Sequence, residues 1–388
     1  MTSAAGLYLD ACAATPAHPQ VLACMAEAQA RFWANPSSVH APGLEAAEAL
    51  ERGRQELATL LGAPAHRVVF TSGGTEADNL ALLGLGRRLS PGRLVLSPLE
   101  HPAVAEAAAQ LQREGWQVAR LPVAADGRID PADLAPLLAP PTRLVSIGWA
   151  SSDIGTLQPM AELARLCRAA GVPLHSDAVQ AVGQVPLDLA AVPVDLLSLS
   201  AHKFEGPRGV GALLLAPGLE LEPLLHGGGQ EGGLRPGTEA VPLALGLVRA
   251  LALRLEALGA QGGRLEGCRD RLRERLAALP GVRCSGPQQQ RLPHHLSLLL
   301  SSTAGVPLCG RSAVRALARH GVAVSSGSAC SSGRSRPSAA LLAIGCSPAE
   351  ARSGLRLSLA PWIDDGALDP LPGLLESLLP TLPAADPP

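Results

Sequence analysis

The sequence predicts an α/β protein, with a large domain built on a mainly parallel sheet between helices and a smaller α/β domain towards the C-terminus. Three observations carry that expectation. Short apolar runs without polar alternation are separated by helix-length stretches, as in strands buried on both faces. Hydrophobic residues make up 47% of the chain and charged residues only 17%, so a large core can form. Aromatic residues are only 2%, so that core has to be packed from Ala, Leu and Gly.

The predicted strands, in order, are HRVVF (66–70), RLVLSP (93–98), TRLVSIG (142–148), GVPLHSD (171–177), VDLLSLS (194–200) and GVGALLL (209–215). Between them lie helical patterns such as LEAAEALERGRQELATLLG (44–62) and MAELARLCRAAG (160–171). A long helical region at 242–279 is broken by GAQGG at 259–263. Its second half places Leu265, Leu272, Leu276 and Leu279 on one face and arginines elsewhere. HHLSLLL (294–300) opens the last α/β segment, with His294 and His295 at a strand entrance. The large domain is expected over 15–250, and the small one over 1–14 together with 251–380. A mobile cysteine-bearing loop is expected at about 325–337 and a disordered tail at 381–388.

Composition excludes several functional classes. The formal net charge of -2 gives no reason to expect nucleic-acid or anionic-membrane binding. Eight cysteines, none in C-x-x-C spacing, fit a reducing compartment better than a disulfide framework. The N-terminal MTSAAGLYLD lacks a basic region and reaches Asp10, unlike a signal peptide. The longest apolar runs fall short of the roughly 20 residues of a membrane span. A soluble cytoplasmic protein is the expectation.

Four stretches could carry chemistry. In RVVFTSGGTEADNLAL a strand ends at Phe70 and a helix begins near Glu76; Gly73, Gly74 and Thr75 lie between, where helix N–H groups can hold a phosphate. An ordinary N-cap with Thr75 and Glu76 would look the same. Asp177, in HSDAVQ, follows a strand at the edge where open sheets build their sites, although a lone Asp there also serves as a cap or surface charge. SLSAHKFEGPRG puts Ser200, His202 and Lys203 at the next carboxyl end. Lys203 would pass for a solvated loop residue were it not the chain's only lysine among 32 basic residues; arginine cannot form a Schiff base. A phosphate cradle, an acid for a ring nitrogen and a lysine for an aldehyde together describe pyridoxal phosphate. Finally, VSSGSACSSGRSRPS places Cys330 among serines and glycines, suited to a thiol that must travel. The other cysteines read as small apolar fillers, with Cys12 less certain because it sits inside a motif.

YLDACAATP, NPSSVHAPG, FTSGGTEADNLAL, HSDAVQ, SAHKFEGPRGVGAL, GGGQEGGLRPGTEAV, SSGSACSSG and LRLSL occur in this order over about residues 7–360. On these motifs the chain resembles the cysteine desulfurases of the fold-type I pyridoxal phosphate enzymes, in the branch with a long cysteine loop. The resemblance implies that Lys203 is the Schiff-base lysine and Asp177 the partner of the ring nitrogen. It implies that Gly74, Thr75, Ser200 and His202 hold the phosphate, with Thr238 reaching in from the second subunit of a homodimer. His101 would stack on the ring, Gln180 would contact its 3′-oxygen, and Ser152 would stand in the cofactor site. Arg356 would clamp the substrate carboxylate, and Asn35 belongs to the same substrate-binding set. Cys330 would take sulfur from L-cysteine as a persulfide, leave L-alanine, and pass the sulfur to an acceptor protein of iron–sulfur cluster assembly or a tRNA-thiolation relay. Arg334 and Arg336 would favour its thiolate and His101 would accept its proton. No resident metal is implied, although Cys330 could ligate an iron–sulfur cluster transiently.

The chain departs from the family pattern at several points. Ser151 and Ser152 stand where two asparagines are usual, Ala11 and Cys12 where asparagine or alanine is usual, and Ala14 where threonine is. Gly232 occupies a position that is often arginine, and SLAPW lacks the usual Gly-Arg. These changes touch orientation and substrate grip. They leave open a selenocysteine lyase, a cysteine β-lyase, or a scaffold with weak or no turnover.

Overall fold

The computed structural model describes residues 6–260, 263–327 and 337–385. In chain order the strands are β1 (Leu7–Tyr8), β2 (Arg67–Thr71), β3 (Arg93–Leu96), β4 (Gln117–Arg120), β5 (Thr142–Ser146), β6 (Leu174–Asp177), β7 (Leu196–Ser200) and β8 (Gly211–Leu215). They continue with β9 (Val282–Ser285), β10 (His295–Leu300), β11 (Val322–Ala323) and β12 (Gly354–Ser358). A seven-stranded sheet has the order β2-β8-β7-β6-β5-β3-β4.

The strands from β7 to β4 in that order pair in parallel, as the apolar runs imply. β8 is the exception, antiparallel to both β2 and β7. The chain between Ser200 and Gly211 is too short to hold the crossover of about a dozen residues that a parallel return needs. β4 went unpredicted because its sequence, QVAR, is half exposed at the sheet edge and carries no apolar run.

Successive residues of one strand feed two cores. Val68, Leu197 and Leu214 pack with Leu50, Leu57, Leu247 and Leu251 on one face. Their neighbours Val69, Leu196 and Leu213 pack with Leu80, Leu82, Val104 and Leu111 on the other. Both faces of the sheet being apolar is what removes the polar alternation. The helix expected at 44–62 spans Ala41–Leu60 and starts earlier because His40 caps it, Nδ1 accepting the Gly43 N–H at 3.2 Å.

A second, antiparallel sheet has the order β12-β10-β9. Its core holds the predicted helix stripe Leu265, Leu272 and Leu276 together with Leu296, Leu298, Leu355 and Leu357. Leu9 joins this cluster, and β1 pairs in parallel with β11, so the N-terminal segment lies against the C-terminal sheet.

The tail expected to be disordered from 381 is paired as far as Ala385. The Cys309 N–H donates to the Pro383 carbonyl at 2.9 Å, the Ala385 N–H donates to the Pro307 carbonyl at 2.8 Å, and Leu382 is buried. Proline keeps its acceptor, so a proline-rich segment can still be held through its carbonyls. Among the described residues, no helix is long and apolar enough to cross a membrane.

Candidate active site

The carboxyl ends of β2, β5, β6 and β7 surround a cavity of about 170 Å³. Its phosphate corner follows β2. A continuous helical segment runs from Gly74 to Arg88, with one π turn at Leu80–Gly84, and begins at the cavity wall. Gly74 is required there by close packing: a Cβ at this position would lie 2.7 Å from Val179 Cγ2. Thr75, Ser200 and His202 line the same corner, and Ser200 Oγ lies 3.0 Å from His202 Nδ1. Burial and the neighbouring Lys203 and Arg208 push His202 down to about 4, which leaves a neutral imidazole at pH 7.

Three carboxyl groups share the acid corner. Asp177 ends β6, and its Oδ1 accepts the Val179 N–H at 2.9 Å. Burial raises it, while His101, the Val179 N–H and Lys203 act in the opposite direction. Asp78, one helical turn beyond Thr75, and Glu100, just before His101, also face the cavity. Burial raises both well above the usual carboxyl range, which favours the neutral acid at each. Asp78 Oδ1 and Glu100 Oε2 are buried with no hydrogen-bond partner. Behind them His175 Nδ1 lies 2.8 Å from Ser146 Oγ and Nε2 lies 3.0 Å from Ser198 Oγ; burial lowers this ring to about 3. The Asp78, His101 and Asp177 polar atoms lie within 4.8 Å of one another. At His101, Nδ1 accepts the Ala103 N–H at 3.1 Å, so the neutral ring carries its proton on Nε2.

Lys203 stands between this corner and a turn at residues 10–15. Its Nζ donates to the Cys12 carbonyl at 2.7 Å and the Ala13 carbonyl at 2.9 Å. Gln180 Nε2 donates to the same Cys12 carbonyl at 3.1 Å. An anion-binding corner, buried carboxyl oxygens without partners and an amine in one cavity fit the phosphate, ring nitrogen and aldehyde of pyridoxal phosphate.

Nine predicted residues therefore line one cavity: Gly74, Thr75, His101, Ser152, Asp177, Gln180, Ser200, His202 and Lys203. Ser152 turns its hydroxyl to Asp153 Oδ1 at 3.3 Å, while its carbonyl accepts from His295 Nε2 at 2.9 Å and Arg356 Nη1 at 3.3 Å. Arg356 thus sits one residue behind the wall, 5% exposed, with Nη2 donating to Asp10 Oδ1 at 3.0 Å. Asn35 and Thr238 lie elsewhere. Asn35 is exposed and its Oδ1 accepts the Ser37 N–H at 2.9 Å. Thr238 lines a separate groove with Leu22, Met25, Phe32 and Trp33. Cys330, Arg334 and Arg336 lie outside the described residues. Sequence reasoning missed Asp78, Glu100 and Asp10. The available signal for Asp78 was its helical spacing from Thr75, which puts both on one face.

The match to known proteins is extensive. The family model for aminotransferase class-V matches residues 7–369. A cysteine desulfurase of Cereibacter sphaeroides is 40% identical over 385 residues, 98% of this chain and 97% of that one. A solved NifS-like protein superposes with a TM-score of 0.89 at 32% identity, covering 97% of this chain and 100% of the other. A structure of SspA in complex with cysteine gives a TM-score of 0.78 at 31% identity, covering 92% and 100%.

Proposed function

Because the chain belongs to the class-V aminotransferase family and, within it, to the cysteine desulfurases, which use pyridoxal phosphate, we propose that it acts on L-cysteine and stores the sulfur as a persulfide on Cys330. The observation that carries this reading is that Lys203 and Asp177 face one cavity while Arg356 stands behind its wall at Ser152. When bound, pyridoxal phosphate supplies an electron sink for the substrate's α-carbon.

The protein's own groups divide the remaining work. Gly74, Thr75, Ser200 and His202 hold the phosphate, with neutral His202 as a hydrogen-bonding group rather than a counter-charge. Asp177 holds the ring nitrogen, with His101, the Val179 N–H and Lys203 favouring its charged form against burial, whereas burial raises Asp78 and Glu100 further. Lys203 moves a proton at Nζ. Arg356 orients the substrate carboxylate, and the Asp10 carboxylate fixes the guanidinium that does so. The Cβ–S bond breaks, sulfur adds to the Cys330 thiol, and the remaining three-carbon amino acid leaves as L-alanine. No outside oxidant or reductant enters this balance. A reducing cytoplasm and a sulfur-accepting protein of iron–sulfur cluster assembly or tRNA thiolation complete the reading. Alanine formation from L-cysteine tests it: equal yields of alanine and of protein-bound sulfur support storage, and free sulfide with pyruvate and ammonia in place of alanine supports a β-lyase.

A second copy of the chain is proposed to cover the face that carries Thr238. Trp33, 70% exposed, and Leu22, 52% exposed, line the groove with Thr238, apolar surface that a partner can cover. Two hollows of about 590 and 820 Å³ meet at Glu239 on this face, and Asn35 lies between residues that line them. Thr238 and Asn35 would then act on the partner's cavity. Sedimentation equilibrium tests this, a monomer at micromolar concentration being the contrary result.

A further inference from the structure

The thiol of Cys12 has no part in the chemistry above. It is 2% exposed, lies 3.3 Å from His294 Nε2, and burial raises it above the ordinary thiol range. Its carbonyl is placed differently. The carbonyls of Cys12 and Ala13 converge on the Lys203 nitrogen at 2.7 and 2.9 Å. The rest of the turn is tied down. Tyr8, the chain's only tyrosine, shares its one hydroxyl proton between the Ala14 carbonyl at 2.7 Å and the Asp10 carbonyl at 3.1 Å. The Cys12 N–H donates to Ser358 Oγ at 2.8 Å, and the Thr15 N–H donates to the His202 carbonyl at 2.9 Å. Tyr8 thus occupies the carbonyls on either side of the pair.

We propose that the Cys12–Ala13 carbonyl pair is the station that holds the Lys203 nitrogen whenever it is not bonded to the cofactor, and that Tyr8 and Ser358 are the positioning residues that build it. A neutral amine has two N–H bonds and one lone pair. Two acceptors on the turn side can take both N–H bonds of that neutral form. When the amine adds to the aldehyde carbon of pyridoxal phosphate, a carbon–nitrogen bond forms and both hydrogens leave with the aldehyde oxygen as water. The station then loses both of its donors. When a substrate amine takes over that carbon, the substrate's two amine hydrogens pass to Lys203, which regains both acceptors. The station is made of backbone, so it tolerates the side-chain departures at Cys12 and Ala14.

The proposal rests on Lys203 being the bonding lysine, and one experiment separates the two claims. The full-length chain, stripped of cofactor, is mixed with pyridoxal phosphate, and capture at Lys203 is followed by stopped-flow absorbance. Inorganic phosphate affinity and melting temperature are measured alongside. Tyr8→Phe and Ser358→Ala are each expected to slow capture about fivefold, the worth of one hydrogen bond, with phosphate affinity unchanged and melting temperature lowered by only about 2 °C. A chain labelled with ¹⁵N-lysine has one side-chain amine signal, and it should shift in both variants. No capture by the wild-type chain overturns the lysine assignment and the station with it. Wild-type capture rates in both variants overturn the station alone. So does slowing that only follows a loss of phosphate affinity, which would mark general loosening of the cavity.

Discussion

The guanidinium of Arg356 bridges two carbonyl-bearing partners from distant parts of the chain, donating to the Asp10 carboxylate at 3.0 Å and to the Ser152 main-chain carbonyl at 3.3 Å. The first contact comes from the N-terminal turn and the second from the loop after β5, so one side chain is fixed from both sides. Its planar fork can hold these partners and still present an edge to a substrate carboxylate. Arg356→Lys keeps the charge and loses the fork. The expected outcome is a rise of about tenfold or more in KM for L-cysteine with a smaller change in kcat, measured by alanine formation. Equal losses in kcat and kcat/KM at unchanged KM would place Arg356 outside ground-state binding of the carboxylate.

The acid corner predicts an asymmetry among its carboxyls. Burial shifts Asp78 and Glu100 towards the protonated form, so an amide of the same shape should replace either with little effect. Asp78→Asn and Glu100→Gln are expected to retain pyridoxal phosphate within about threefold of wild type, whereas Asp177→Asn should weaken retention by about a hundredfold. Equilibrium dialysis with the absorbance of bound cofactor measures all three. If Asp78→Asn behaves like Asp177→Asn, Asp78 is a charged partner and the assignment of roles is wrong.

His175 gives a prediction about pH and stability. Its ring titrates at about 3 in the folded protein, against an unfolded value of about 6.5. The folded value is the lower one, so the unfolded chain binds the extra proton at intermediate pH. The stability this residue contributes is complete above pH of about 6.5 and is lost as pH falls from there towards about 3. His175→Gln should therefore flatten the acid side of the stability curve by about 1.4 kcal/mol per pH unit within that window. Urea unfolding of wild type and variant at several pH values reads the slope directly. Parallel curves would mean that the ring is not buried as the neutral form.

Much of this site was legible in the sequence because its residues follow apolar strands at their carboxyl ends. Asp177 and Lys203 each close or follow a strand that reads clearly as buried, and glycines mark the turn at Gly74. What stayed hidden depends on contacts between segments far apart in the chain. Asp10 and Cys12 come to the cavity only because β1 pairs with β11 and the N-terminal turn packs on Ser358. No local pattern in YLDACAATP announces that its carbonyls meet an amine. Glu100 reads as a surface acid beside a helix start, and only the fold shows its Oε1 accepting the Gly148 N–H at 2.8 Å. The antiparallel β8 followed from a short connection, which apolar patterning does not register.

Passage of L-cysteine sulfur to Cys330 is read by intact-protein mass measurement after incubation with L-cysteine. Wild-type chain and Cys330→Ser are treated side by side, with alanine assayed in the same samples. Storage on Cys330 predicts one added sulfur on the wild type, none on Cys330→Ser, and alanine formed with the wild type. Alanine formation with no sulfur retained on the wild-type chain would contradict it.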